Sequence, residues 1–299
     1  MVAPADHEAR VYLRAMSEPV ANVEQAGYWE SRASSWIDAE AWTVEVGGAF
    51  GRAALDALGP TAGWTVVDVG CGTGPTTVEL ARQVAPGGSV LGVDIAPSMI
   101  EAARSRAERE GVGGVEFLVA DAQAHDLGEG RFDAVFSQFG VMFFEDPPAA
   151  FANLRRSLRA GGRLGFACWQ DLFANDWMFV PGAAAIGASG AAPSLPRPGQ
   201  PGPFSLSDPA QVERLLAAAG FTEVQVVPST DTAEIPAEQL DAVVQASCAV
   251  GAAREALEAT PDPEVRASIH RAVHDALAER VVDGRLRLAA AALLVTATA

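Results

Sequence analysis

Val66-Val67-Asp68-Val69-Gly70-Cys71-Gly72-Thr73-Gly74-Pro75-Thr76-Thr77 is the stretch whose reading decides the fold. Thr65 to Val69 is a β-branched apolar run of the kind buried in a parallel sheet. Three alternating glycines break it, and Pro75 suits the first position of a helix. Val78, Ala81 and Val84 give that helix an inward face, and Gly87-Gly88 end it. Glycines are needed where a turn is too tight for a Cβ and where a ligand must approach the backbone. The helix start that follows offers free N–H groups to an anion. The stretch reads as a strand-turn-helix nucleotide site.

Spacing narrows the nucleotide. A dinucleotide fingerprint runs G-x-G-x-x-G, but Gly70, Gly72 and Gly74 run G-x-G-x-G and Pro75 stands in the third-glycine place. No G-K-[ST] follows, so the Walker pattern fails too. Downstream, Val90-Leu91-Gly92-Val93-Asp94 is a second strand ending in an acid, about 20 residues on, where a carboxylate accepts from ribose hydroxyls. Val115 to Ala122 is a third strand, ending in Asp121-Ala122.

Asp68-x-Gly70-x-Gly72-x-Gly74, with these two strands in register, resembles motif I and its sequels in class I S-adenosylmethionine (SAM)-dependent methyltransferases. From Tyr28 to about Trp169, and more loosely to the end, the chain resembles their UbiE-like, type-11 small-molecule group. The resemblance implies a Rossmann-like α/β fold: a seven-stranded sheet with a reversed final hairpin, N-terminal helices and helical insertions forming a cap. It implies SAM as cofactor, S-adenosylhomocysteine (SAH) as product, and a small-molecule methyl acceptor. Cofactor contacts are expected from Tyr28, Trp29, Trp36, Asp68, Gly70, Cys71, Gly72, Thr73, Gly74, Thr76, Asp94, Ile95, Met99, Asp121, Ala122, Gln123, Ser137, Gln138, Phe139 and Met142. Two other classes stay open: a SAM-binding protein with a different activity, and an NAD-linked oxidoreductase.

Composition sets the bounds. With 299 residues, 49% of them hydrophobic, the chain can bury a sizeable core. Its net charge of −17 argues against nucleic acid and anionic membrane surfaces, which need clustered Lys and Arg. Cys71, Cys168 and Cys248 are far apart, without metal-like spacing, and fit a reducing cytoplasm. Met1 to Arg10 lacks the apolar core of a signal peptide. Leu286 to Ala299 is shorter than the ~20 residues of a spanning helix.

Regular strand–helix alternation to residue 170 predicts a doubly wound core at 61–170, behind an N-terminal helical region at 1–60. The helix bearing Tyr28, Trp29, Ala33 and Trp36 is either pinned to the body or a lid, with Gly27 and Gly47-Gly48 as candidate hinges. A helix is expected near Val44–Leu58. Pro147 starts a helix with Phe151, Leu154 and Leu158 inward, leading to a fifth strand over Arg163–Trp169. In 171–299 the sixth and last strands are expected at Phe221–Val227 and Leu293–Thr296. The insertions 171–205, with a Pro/Gly-rich loop at 193–203, and 237–280 are expected to cover the acceptor.

Methyl transfer from a sulfonium needs alignment and water exclusion above all; an O–H, N–H or enolic acceptor adds a base. Tyr28 and His125 are the candidates, against packing and surface-loop alternatives. No metal site is expected: His270 and His274 share a helix face without acidic partners. Ser137-Gln138-Phe139-Gly140 replaces the Asn/Asp-Pro-Pro-aromatic motif of amide N-methyltransferases, and Asp146-Pro147 comes too late, as a helix start. Phe139, Met142, Phe143 and Phe144 suggest an aromatic or lipid-like acceptor, with Phe139, Phe143, Trp169 and Trp177 as its contacts; core packing is the alternative for Phe143 and Phe144.

Overall fold

A computed structural model describes residues 22–190 and 200–299. The readings of residues 1–21 and of most of the 193–203 loop lie outside the described residues. The strands are β1 (Thr65–Val69), β2 (Ser89–Asp94), β3 (Val115–Val119), β4 (Phe132–Gln138), β5 (Leu158–Trp169), β6 (Thr222–Pro236), β7 (Val281–Val282) and β8 (Arg285–Thr298). They form one sheet in the order β3-β2-β1-β4-β5-β8-β6, with the short β7 pairing β8 off that path. Seven strands make the continuous path, and β7 is an addition that the sequence pattern does not announce. β1 to β5 are parallel; β8 is antiparallel to β5 and β6.

The helices are α1 (Val23–Asp38), α2 (Glu40–Leu58), α3 (Pro75–Val84), α4 (Pro97–Arg109), α5 (Pro147–Ser157), α6 (Asp176–Ser189), α7 (Pro209–Ala218), α8 (Leu240–Ala249), α9 (Gly251–Glu258) and α10 (Pro263–Ala278). Right-handed crossovers put α3 and α4 on one face of the sheet and α5 on the other, because strand order reverses between β1 and β4. Phe132, Phe136, Phe151, Phe166, Leu58 and Leu80 are fully buried in the resulting core. Asp146 caps α5, its side chain accepting from Ala149 N at 3.0 Å, as the late Asp-Pro pair implied.

Several boundaries differ from those expected of the sequence. α2 begins four residues earlier, at Glu40. α5 ends at Ser157, and Leu158 turns extended to pair with Phe132 across an irregularity in the ladder, so β5 starts there rather than at Arg163. β6 and β8 are far longer than expected, pairing from Thr222–Thr298 to Pro236–Arg285. The alanine run Ala289–Ala292 is strand despite its helical propensity, because ladder pairing overrides a weak local preference. The first insertion holds a 14-residue helix, α6, with Pro181 inside it. The hinge expectation is also corrected: Gly27 lies inside α1 and Gly47-Gly48 inside α2. A Cβ on Gly47 would sit 3.0 Å from the Phe139 ring, so this glycine serves a close approach.

The small side chains of β8 let the cap dock. Asn175, fully buried just before α6, donates from Nδ2 to the Asp171 and Ala291 carbonyls at 3.0 and 3.1 Å. Its Oδ1 accepts from Ala291 N at 2.9 Å and Trp177 Nε1 at 3.3 Å. Removing it orphans buried groups at about 1–3 kcal/mol each. We expect Asn175→Ala to lower unfolding free energy by about 3 kcal/mol in denaturant titration; a loss below about 1 kcal/mol would mean water replaces the amide.

Candidate active site

A cavity of about 320 Å³ opens where β1 to β5 end, within the size range of small-molecule sites. Val69–Thr73, Val93–Ile95, Ala120–Ala122, Gln138–Gly140 and Trp169 form its floor. Its roof comes from α1 and the start of α2, from α6, and from residues 247–253. Both insertions therefore reach the carboxyl end of the sheet.

The glycine loop is shaped for a ligand. Gly70, Gly72 and Gly74 all take positive φ. A Cβ on Gly70 would lie 2.8 Å from Gly140 Cα, whereas a Cβ on Gly72 would point into open space. Gly72 is thus the point where a ligand can lie against bare backbone. Gly74 instead serves packing, abutting Ala103 of α4 with only 2.9 Å between that side chain and where a Cβ would be. Asp94 accepts from Gly72 N and Ala96 N, both at 2.9 Å, and each oxygen keeps a lone pair for a hydroxyl. Burial pushes its carboxyl up, against the pull of those N–H groups.

The charge of the lining discriminates between nucleotides. Asp94, Asp121 and Glu40 line the cavity, and no Lys, Arg or His does among the described residues. The Gly72 N–H that could greet a phosphate is already given to Asp94. A pyrophosphate-bearing dinucleotide fits this wall poorly; a sulfonium nucleoside with free ribose hydroxyls fits it well. The residues present therefore suit SAM.

Of the expected site residues, Tyr28, Trp29, Trp36, Gly70, Cys71, Gly72, Thr73, Thr76, Asp94, Ile95, Met99, Asp121, Ala122, Gln138, Phe139, Met142, Phe143, Trp169 and Trp177 line the cavity. Asp68, Gly74, Gln123, Ser137 and His125 do not. Ser137 Oγ donates to Val69 O at 2.7 Å and accepts from Gly140 N at 3.2 Å, fastening two loops. Gln123 Oε1 accepts from Asp146 N at 2.8 Å. His125, outside the cavity lining, sits in a turn where its backbone N–H donates to Asp121 O and its carbonyl accepts from Asn153 Nδ2 at 2.9 Å. Burial raises the Cys71 thiol well above its ordinary value and keeps it protonated. Among the described residues no cluster of His, Cys, Asp and Glu could hold a metal.

Aromatic rings divide the cavity. Phe139 stacks on Trp169 at 3.8 Å and 7°, and Trp177 lies 5.0 Å from Trp169. Phe139 has φ +59, a strained left-handed value for a bulky residue, at the end of β4. From the roof, Trp29 packs edge-on to Phe143 at 4.8 Å and 5.5 Å from Trp36. Burial raises the Tyr28 phenol, so it stays neutral at pH 7.

The polar anchors of α1 and α2 escape a reading of the sequence. Asn22 donates from its backbone N and Nδ2 to the two Asp121 oxygens at 3.0 Å, and its Oδ1 accepts from Glu145 N at 2.9 Å. Glu30 accepts from Ser98 N at 3.1 Å. Glu40 accepts from Thr73 Oγ1 and pairs with Arg106, whose Nε donates to Thr73 O at 3.0 Å. These partners follow β1, β2 and β3 and lie far away in sequence, so no local pattern marks them. Trp42, also missed, did carry a signal: Trp42, Val46 and Phe50 repeat at helical spacing.

Asp68 sits behind the loop, fully buried, its Oδ2 accepting from Thr76 and Thr77 hydroxyls at 2.6 and 2.7 Å. Burial pushes its carboxyl up to about 6, against those two bonds. A folded pKa above the unfolded one means the native state binds the extra proton, so this group costs stability as pH rises through 4 to 6. We expect Asp68→Asn to raise the melting temperature of the ligand-free protein at pH 8 and to have no effect near pH 4. A uniform destabilisation at both pH values would contradict that cost.

A family described as methyltransferase domain matches residues 66–162. Nocamycin O-methyltransferase from Saccharothrix syringae is 34% identical over 181 residues, covering 58% of this chain and 65% of that one. Ubiquinone/menaquinone biosynthesis C-methyltransferase UbiE from Hahella chejuensis is 37% identical over 114 residues, 38% of this chain and 46% of that one. The chain thus spans less than two thirds of either relative. In fold it is similar to the YcgJ protein of Bacillus subtilis, with a TM-score of 0.54 at 17% identity, covering 84% of this chain and 97% of that one. With the motif, strand order and cavity in agreement, residues 66–162 match a methyltransferase domain, as the resemblance of the glycine motif to class I SAM-dependent methyltransferases implies.

Proposed function

We propose that this protein transfers the methyl group of SAM to a small, aromatic or lipid-like acceptor of natural-product type. The observation that carries the reading is one cavity joining the glycine loop and Asp94 to a stacked aromatic wall, Phe139 on Trp169. An O-methyltransferase of nocamycin and a quinone-pathway C-methyltransferase among the relatives support that acceptor class.

SAM supplies an electrophilic methyl on a sulfonium, so what the chain itself must provide is alignment. Gly72 gives the cofactor its bare backbone, Asp94 accepts from the ribose hydroxyls, and Asp121-Ala122 border the base. Phe139, Trp169 and Trp177 stack the acceptor, and the roof excludes water from the displacement. The only phenol in the lining among the described residues, neutral Tyr28, orients the acceptor by hydrogen bonding rather than serving as a phenolate base. Asp68, Thr76 and Ser137 contribute by holding the loop.

The helix α1 acts as a lid, docked by polar contacts, Asn22 on Asp121, Glu30 on Ser98 and Arg32 on Glu258 at 3.4 Å, and by a small apolar cluster of Ala33, Ala96 and Met99. This small cluster is separate from the main core, so α1 can part from the sheet without opening that core, which suits reversible opening.

Incubation with methyl-labelled SAM and a library of phenolic, quinoid and isoprenoid acceptors tests the activity. Label is expected in aromatic or lipid-like products; incorporation only into proteins or nucleic acids would overturn the reading. For the lid, amide exchange across residues 28–36 is expected to slow markedly when SAH binds. Exchange already as slow without ligand as in β1 and β4 would reduce α1 to scaffold.

A further inference from the structure

Three side-chain polar atoms among the described residues are buried without a hydrogen-bond partner: Asp68 Oδ1, Trp42 Nε1 and Ser247 Oγ. The first lies behind the glycine loop. The other two belong to residues that line the cavity and are themselves 7% and 4% exposed. Buried polar groups are as a rule paired, and those left over at a cavity wall point to a ligand.

Position says which ligand. Along α2, Leu58 meets Gly165 inside β5, Gly51 meets Gln138 at the end of β4, and Gly47 meets Phe139, just past β4, and Trp169, the last residue of β5. Trp42, more than a turn earlier, lines the cavity between that aromatic wall and Glu40, which accepts from Thr73 of the glycine loop. Asp94 and Asp121, at the ends of β2 and β3, mark the other side. Ser247 lies in the second insertion, near the end of α8, just before the lining residues Val250–Ala253. Neither element belongs to the cofactor loops.

We infer that Trp42 and Ser247 form a polar subsite for one or more oxygen atoms, hydroxyl or carbonyl, on the aromatic body of the acceptor. This rests on the reading of the cavity as a methyl-transfer site. The indole N–H only donates, so its partner must present a lone pair, while the Ser247 hydroxyl donates or accepts. Met142 and Met178, on the same lining, are soft side chains that adapt to a ligand's shape. A site with such donors rejects an analogue lacking the oxygen, because the donors then stay unpaired. The subsite thus turns an apolar slot into one that selects oxygenated aromatics.

Calorimetry on the SAH-loaded protein with 2-naphthol and naphthalene as probes tests this. The wild type is expected to bind 2-naphthol at least tenfold more tightly than naphthalene. Trp42→Phe, which keeps an aromatic ring, and Ser247→Ala should each narrow that ratio at least threefold and leave naphthalene and SAH affinities within twofold. A ratio unchanged in both variants would overturn the inference. So would a loss of SAH affinity in the variants, which would give these groups to the cofactor, or the wild type binding neither probe. Should the wild type fail to bind SAH, the same titrations are run on the ligand-free protein, and selection of 2-naphthol through these residues there would keep the subsite and sink methyl transfer instead.

Discussion

The cavity depends on one backbone contact. Gly70 ends β1 and Gly140 follows β4, and the two come so close that a Cβ on either would lie within 3.0 Å of the other's Cα. Ser137 fastens the same junction by bonding Val69 O and Gly140 N. These strands flank the point where strand order reverses, which is where open α/β sheets bind ligands. Because the chain must turn sharply there, Phe139 is driven to positive φ and its ring is laid flat on Trp169. One steric constraint thus shapes the glycine loop on one side and the aromatic wall on the other.

From that junction the two halves of the cavity acquire different chemistry. Toward β2 and β3 the lining is carboxylate and backbone, and α1 and α2 close over it through Asn22, Glu30 and Glu40. Toward β4 and β5 it is aromatic, roofed by α6 and by the turn between α8 and α9. The lining has no cation among the described residues, which favours a sulfonium over a pyrophosphate. Such a wall suits catalysis by alignment, since among the described residues no histidine lines it to take a proton.

The core was legible in the sequence because its signals are local. Buried strands of Val and Ile-like residues, glycines needed for positive φ, and acids at strand ends each leave a mark within a few residues. Pro147 was readable as a helix start for the same reason. The long β6–β8 pairing was not, since Ala289–Ala292 has helical propensity and only its partner strand makes it extended. The anchors Asn22–Asp121 and Glu40–Thr73 join residues far apart in the chain and leave no local pattern. Asp68 and Gly74 carry the motif yet do not line the cavity, because a loop needs residues behind it as well as in front.

The central claim is that the end of β2 and the glycine loop hold a sulfonium nucleoside through its ribose. Titration of SAH into the wild type and into Asp94→Ala, with NADH as a control, tests it most directly. Charge-assisted hydrogen bonds of about 1.5–3 kcal/mol each predict at least a tenfold loss of SAH affinity in the variant. NADH should not bind. An Asp94→Ala affinity within twofold of wild type, or NADH competing with SAH, would contradict the account.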